Sequence, residues 1–418
     1  MSASLEKIVI RDKNISYIYE ESHQLPIVSL QLVFTGLRDI SENNLSGIGN
    51  FTASLLNEGT TISGDENFSE KLDERAIQLS ASANDGSLSI HLDVLKENLN
   101  PAIDLLAELI KYPNFQENPF NRVKNQILSD ILQKESDFDY LANIGLNALL
   151  FNGTPLSKPQ IGTIEDIEKI SLKDIENLYK SKIVLSNLLP IIGGDINKTE
   201  AENIIFKLAS LLENGEQGFT QNFAVTSSKG SEKISKLDTK QAYIYFGSPL
   251  NLKFGDNENY KMEIAFFILG SSGFGSRLME EVRVKSGLAY SVRASSSLSK
   301  SRSYFSGHLQ TKTTNLIKAK NLVIKVIEDF IKNGATLEEL DSAKKFILGS
   351  EPLRTESLSQ RMQRAFSEYH MNKPLGYSKI KLENILKLSL DDLNKFITEH
   401  SEILDLSFFI ITAETESE

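Results

Sequence analysis

"IEKISLKDIENLY", residues Ile167–Tyr179, lies without a gap on "ILKLSLDDLNKFI", residues Ile385–Ile397, so that Ser171 and Ser389 stand 218 residues apart. Each copy is followed by an apolar, strand-like run, "LLPIIGG" in one case and "LSFFIIT" in the other. A match of pattern, order and offset marks a tandem duplication. The two copies close two α+β domains, each expected to have helices covering one face of a mostly antiparallel sheet.

Outward from these segments, the two halves keep the same order. In the first, "NISYIYE" and "IVSLQLVF" alternate as half-buried strands and lead into a polar, glycine-containing loop and a helix around Asn50. A strand pair turning at Asn84-Asp85-Gly86 follows, then helices near Asn98–Lys111 and Pro119–Gln133. In the second, "QAYIYFGSPL" is a strand, Tyr260–Leu269 and Ser276–Lys285 are helices, and strands surround Tyr290 and Tyr304. Long helices cover Asn315–Asn333 and a stretch from Thr336, where Glu339 completes a capping box. The segment 213–240, rich in Gly, Ser, Asn and charge, reads as a linker with an edge strand near its end. The expected domains are residues 1–212 and 241–418, facing each other across a cleft.

A chain of 418 residues exceeds one ordinary core and allows two of about 200 residues each. Its 40% hydrophobic and 24% charged residues are those of a soluble globular protein, and no run of about 18 apolar residues is present to span a bilayer. The net charge of −11, with the two signs interspersed, disfavours nucleic acid, which needs a clustered basic stripe. The lack of cysteine excludes disulfides, thiolate metal sites and a cysteine nucleophile. No basic and then apolar leader opens the sequence, which gives the cytoplasm as the expected compartment, or the periplasm if a signal peptide precedes Met1.

Few residues offer chemistry. The helix in "SGIGNFTASLLNEGT", Ser46–Thr60, puts Ile48, Phe51, Leu55 and Leu56 on an apolar stripe and Asn50, Ala53 and Ser54 on another face. Of the five histidines, His23, His91, His308, His370 and His400, none has a second His at helical ligand spacing, and His91 reads as a solvated strand residue. "GSSGFG", Gly270–Gly275, has the wrong glycine spacing for a phosphate cradle and joins helix to helix. In "GSRLMEEVRVKSGLAYSVRASSS", Arg283 near a helix end and Tyr290 at a strand start are joined by a tight turn at Gly287 that lets their polar tips converge. By periodicity alone, Arg283 complements the helix C-terminus and Tyr290 packs with its hydroxyl at the rim.

With these motifs in view, nearly all of the chain resembles the insulinase/pitrilysin-type zinc peptidases, specifically the bacterial half-length members that pair into a clam-shaped dimer. Catalytic members carry G-x-x-H-F-x-E-H-x-x-x-x-G-T on the first helix, and "GIGNFTASLLNEGT" follows that frame from Gly47 to Thr60. Asn50 and Ser54 stand where the two histidine ligands would be, and Ala53 where the general base would be. The register of the third ligand, 76 residues beyond Ser54, falls on Asp130. One carboxylate and an amide do not hold zinc, which takes three protein ligands and an open position for water. The resemblance therefore implies no metal and no cofactor in this chain.

"SRLMEEVRVKSGLAYS" matches the family's second-domain motif throughout. The resemblance implies that Tyr290 donates a hydrogen bond to the substrate carbonyl as it becomes an oxyanion, and that Arg283 orients Tyr290 or the peptide. It also implies a homologous zinc-bearing partner, an unstructured peptide substrate bound partly by strand addition, and zinc in the partner alone. The expected function is that of the non-metal subunit of a heterodimeric metallopeptidase. The alternatives are a structural subunit, like the family's core proteins in respiratory complexes, and a peptide-holding module.

Overall fold

The computed structural model describes residues 3–37, 45–84 and 86–413. Part of the glycine-containing loop expected after the third strand (38–44) and Asp85 of the expected turn lie outside the described residues. Among the described residues, eleven strands fall into two sheets. The first contains β1 (Ser4–Ile10), β2 (Lys13–Glu21), β3 (Ile27–Thr35), β4 (Gln78–Asn84), β5 (Ser87–Leu95) and β6 (Leu188–Gly194), in the order β1-β2-β6-β3-β5-β4. The second contains β7 (Glu232–Lys236), β8 (Gln241–Pro249), β9 (Ala289–Leu298), β10 (Ser303–Lys312) and β11 (Ser407–Thr412), in the order β7-β11-β8-β10-β9. Each sheet is antiparallel except for one pair, β2 with β6 and β7 with β11.

The duplicated segments occupy equivalent places. Ser171 caps the helix Leu172–Lys182 and Ser389 caps Leu390–Glu399, each hydroxyl accepting from the backbone N–H of the Asp three residues on. A short turn then leads into the inner strand β6 or β11.

Strand alternation decides which side chains form the cores. In the first unit Leu30, Leu32, Ile90 and Leu92 meet Leu106 and Ile205 from the helices Leu99–Lys111 and Lys198–Ala209. In the second, Phe246, Phe305 and Leu309 meet Ile327, Phe330 and Leu393. Burying each such side chain contributes about 1.5–3 kcal/mol, which makes these two interiors the main source of stability.

The opposite face of each sheet receives one more helix. Leu358–His370 sets Met362 and Ala365 on Ile18, Val33 and Ile191 of the first sheet. Phe138–Leu150 sets Ala142, Leu146 and Leu150 against Tyr245, Phe409 and Ile411 of the second. Residues 1–132, 159–221 and 352–377 thus form one compact unit, and 133–158, 222–351 and 378–418 the other. These spatial units interleave along the chain, whereas the sequence repeat divides it once, at 213–240. The edge strand expected in that segment is β7. No helix among the described residues is long and apolar enough to cross a membrane.

Candidate functional site

The second sheet carries the Arg/Tyr motif at its β9 edge. From Ser276 a helical segment runs to Lys285, with its last two turns, Met279–Lys285, widened to the π form, a local irregularity frequent at functional sites. Arg277 anchors it: Nε and Nη2 each reach a Glu339 carboxylate oxygen at 2.6 Å, and Nη2 also donates to the Gly334 carbonyl at 2.7 Å. Burial disfavours ionisation of Glu339, but Arg277 and the Thr336 cap outweigh it and hold the carboxyl below its ordinary range. Leu278, Met279 and Val282 are buried beneath the segment, while Arg283 lies on its outer side.

A bulge then aims Tyr290. Val292 pairs with Leu309, but the next pairing is Ala289 with Thr311, so two β9 residues oppose the single Gln310. Strict alternation would send Tyr290 into the core behind Val292. The extra residue instead leaves Ala289 packed inward and Tyr290 82% exposed. Arg283 Cζ sits 4.6 Å from the centre of the Tyr290 ring and 4.7 Å from that of Phe274. Among the described residues no hydrogen bond or ion pair engages the guanidinium. The structure therefore brings Arg283 and Tyr290 together and adds Phe274, which the sequence reading passed over inside "GSSGFG".

Beyond the bulge, the sheet face away from the helical core carries Arg293, His308 and Tyr245 in register across three strands. His308 stacks on Tyr245, with centroids 5.1 Å apart. Asp139 accepts from Tyr245 Oη at 3.0 Å and from the Gln310 amide. Burial lowers the pKa of His308 and Arg293 adds to that, against the opposing charge of Asp139. A cavity of about 470 Å³ lies along the Arg277 side of the helical segment, lined by Glu280, Glu281, Lys325 and Asp329 among others. Neither Arg283 nor Tyr290 lines it.

In the first unit, Ile48–Leu56 is the expected helix. Phe51 stacks on Phe120 at 4.9 Å between ring centres, and Ala53, 2% exposed, is part of the sheet core. Asn50 and Ser54 are half-buried. On the helix Glu117–Lys134, Asp130 accepts from the Gln126 amide at 2.8 Å. An amide, a hydroxyl, a methyl group and one carboxylate already hydrogen-bonded do not fit a zinc ion. Among the described residues no group of three or more His, Cys, Asp or Glu is placed to hold a metal.

The histidines go elsewhere. His23 bonds Asp195 at 2.5 Å and Glu21 at 2.8 Å, and His400 bonds Glu402 at 2.8 Å. His370 stacks on Phe366. His91 is half-buried where a solvated position was expected, because β5 is an inner strand and Gln31 and Ser80 stand on either side of it.

Comparison with known proteins agrees with this architecture. Residues 17–164 match the family model described as insulinase (peptidase family M16), and residues 169–347 match the one described as peptidase M16 inactive domain. A Helicobacter pylori protein named non-peptidase homolog YmxG is 41% identical over 403 residues, covering 96% of this chain and 93% of that one. A Bacillus subtilis protein named uncharacterized zinc protease YmxG is 24% identical, covering 77% of each chain. The crystal structure of a peptidase M16 inactive domain from Pseudomonas fluorescens superimposes with a TM-score of 0.90 at 23% identity, covering 99% of each chain. By these matches, and by the two sheet-and-helix units that its repeated segments close, the chain belongs to the insulinase family, peptidase family M16.

Proposed function

We propose that this chain is the metal-free subunit of a two-chain peptidase and supplies Arg283 and Tyr290 to a hydrolytic centre whose zinc is held by a homologous partner. The observation that supports this reading is the pair itself, an exposed Tyr290 beside a half-buried Arg283. A bulge turns Tyr290 outward, and Arg283 lies against its ring with no protein acceptor for its N–H groups among the described residues. A fold that only needed to pack would bury the phenol behind Val292. The Tyr290 hydroxyl then donates to the carbonyl oxygen of the scissile bond as negative charge develops there, and the Arg283 fork holds the peptide backbone. The substrate is an unstructured peptide.

The test is complementation. The chain is purified alone and together with a homologue of similar length that carries an intact H-x-x-E-H helix. Peptide hydrolysis is expected only in the mixture, and the isolated chain is expected to keep less than stoichiometric zinc after dialysis. In the complex, Tyr290→Phe should lower kcat by about tenfold or more while co-purification is unchanged. Hydrolysis by the chain alone, or full turnover by the Tyr290→Phe complex, would refute the assignment, and the latter would leave a structural subunit as the better account.

A further inference from the structure

"GSSGFG", which the proposed chemistry leaves unused, has a definite geometry. Gly273 and Gly275 hold φ of +72° and +89°, in the left-handed region that side chains other than glycine avoid. The Ser276 hydroxyl, fully buried, donates to the Gly273 carbonyl at 2.7 Å and closes the loop. Between the two glycines Phe274 is 71% exposed. It gains little from burial, yet the loop is built to present it. What the ring meets is the Arg283 guanidinium, 4.7 Å from Cζ to the ring centre, while the Tyr290 ring holds the same cation at 4.6 Å.

Arginine on a surface keeps much of its rotamer entropy, and one exposed cation–π contact does not offset the loss of it. Two contacts on the same group come close. With its carbon held near two rings and no protein acceptor for its N–H groups among the described residues, the guanidinium keeps those donors for a ligand, and a planar fork of donors suits a planar acceptor. We propose that Phe274 is a positioning residue, clamping Arg283 beside Tyr290 so that the guanidinium edge is presented, already ordered, to a carbonyl or carboxylate of a bound peptide. The peptide part of this inference rests on the proposed function, whereas the clamp is a property of the isolated chain.

Two measurements separate the levels. By NMR of the arginine side chains in the isolated chain, the Arg283 Nε–Hε signal is expected to be displaced by ring currents, to move toward the free-arginine position in Phe274→Ala, and to stay in place in Phe274→Tyr. A signal at the free-arginine position in the unmodified chain overturns the clamp. In the complex with its zinc-bearing partner, Phe274→Ala should raise KM about fivefold to tenfold with a smaller change in kcat, Phe274→Tyr should restore it, and Phe274→Ala should add nothing when Arg283 is already alanine. An equal loss in both Arg283 backgrounds overturns positioning and makes Phe274 a direct substrate contact. A displaced Arg283 signal combined with normal turnover of Arg283→Ala keeps the clamp and refutes the peptide-binding role proposed for Arg283.

Discussion

Arg283 and Tyr290, seven residues apart in sequence and on different elements, meet with the guanidinium carbon 4.6 Å from the ring centre. The contact depends on a tight turn at Gly287, where the backbone has φ of +60°, and on the bulge that follows it. The π-form end of the helical segment and the slipped register of β9 act together: one carries Arg283 to the turn, the other rotates Tyr290 toward it.

On the proposed reading, the planar shape of the guanidinium matters as well as its charge. Arg283→Lys keeps the charge but loses the flat fork that both rings contact. In the complex with a zinc-bearing partner, kcat/KM for peptide hydrolysis is expected to fall about tenfold, with unchanged assembly by size-exclusion chromatography. Full activity in the lysine variant would mean that a positive charge alone suffices and that the contact of the guanidinium with the two rings has no role.

Much of this was legible in the sequence because it is local. Period-two alternation located β3 and β5, and the Ser-x-x-Asp starts at Ser171 and Ser389 are the caps of the two repeated helices. That an amide, a methyl group and a hydroxyl stand at Asn50, Ala53 and Ser54 was readable because the frame around them is intact. Long-range geometry was not legible. Alternation places Tyr290 inward, and only the pairing of Ala289 with Thr311 shows the slip. Phe274 carries no periodic signal, since its exposure follows from the φ angles of its two neighbours. Nor does any local pattern say that Phe138–Leu150 covers β8 and β11, because that choice is made by the shapes that fit there.

Gly145 is the clearest of those shapes. Glycine inside a helix costs about 1 kcal/mol relative to alanine, yet a Cβ at this position would overlap the outer atoms of the Phe409 ring. Gly145→Ala should therefore destabilise the protein by about 1–3 kcal/mol despite its better helix propensity, as overpacking does in a filled core. Urea denaturation is the measurement, with Phe409→Leu expected to recover much of the loss in the double variant. A gain in stability from Gly145→Ala alone would show that the helix is loosely docked.

The helix Leu358–His370 docks by a different device. Arg361 Nε donates to Glu20 Oε1 at 2.6 Å, and Glu20, on β2, is 1% exposed with no partner for Oε2 among the described residues. Removing the cation leaves a buried carboxylate uncompensated, so Arg361→Met should cost about 3–5 kcal/mol. Glu20→Met combined with Arg361→Met should recover most of that, because two apolar side chains need no pairing. Equilibrium unfolding of the two variants checks the ordering, and a double variant no more stable than Arg361→Met would contradict it.

Acid should weaken the second sheet through His308. Burial holds its pKa below the ordinary value of 6.5, with Arg293 acting in the same direction, Asp139 opposing, and Tyr245 and Gln310 as its neutral neighbours. The unfolded chain thus takes up a proton on this residue at a higher pH than the native chain does. Stability is fully present above the unfolded pKa and is lost as pH falls from about 6.5 through the lower native value. His91, also lowered by burial against the charge of Asp93, contributes with the same sign. Urea midpoints measured between about pH 7.5 and about pH 5.5 should fall more steeply in the unmodified protein than in His308→Gln, and the His308 ring signals should titrate below 6.5 in NMR. A native pKa of 6.5 would remove the contribution of His308 and a higher one would reverse its sign, and the acid sensitivity would then belong to His91 and the carboxylates.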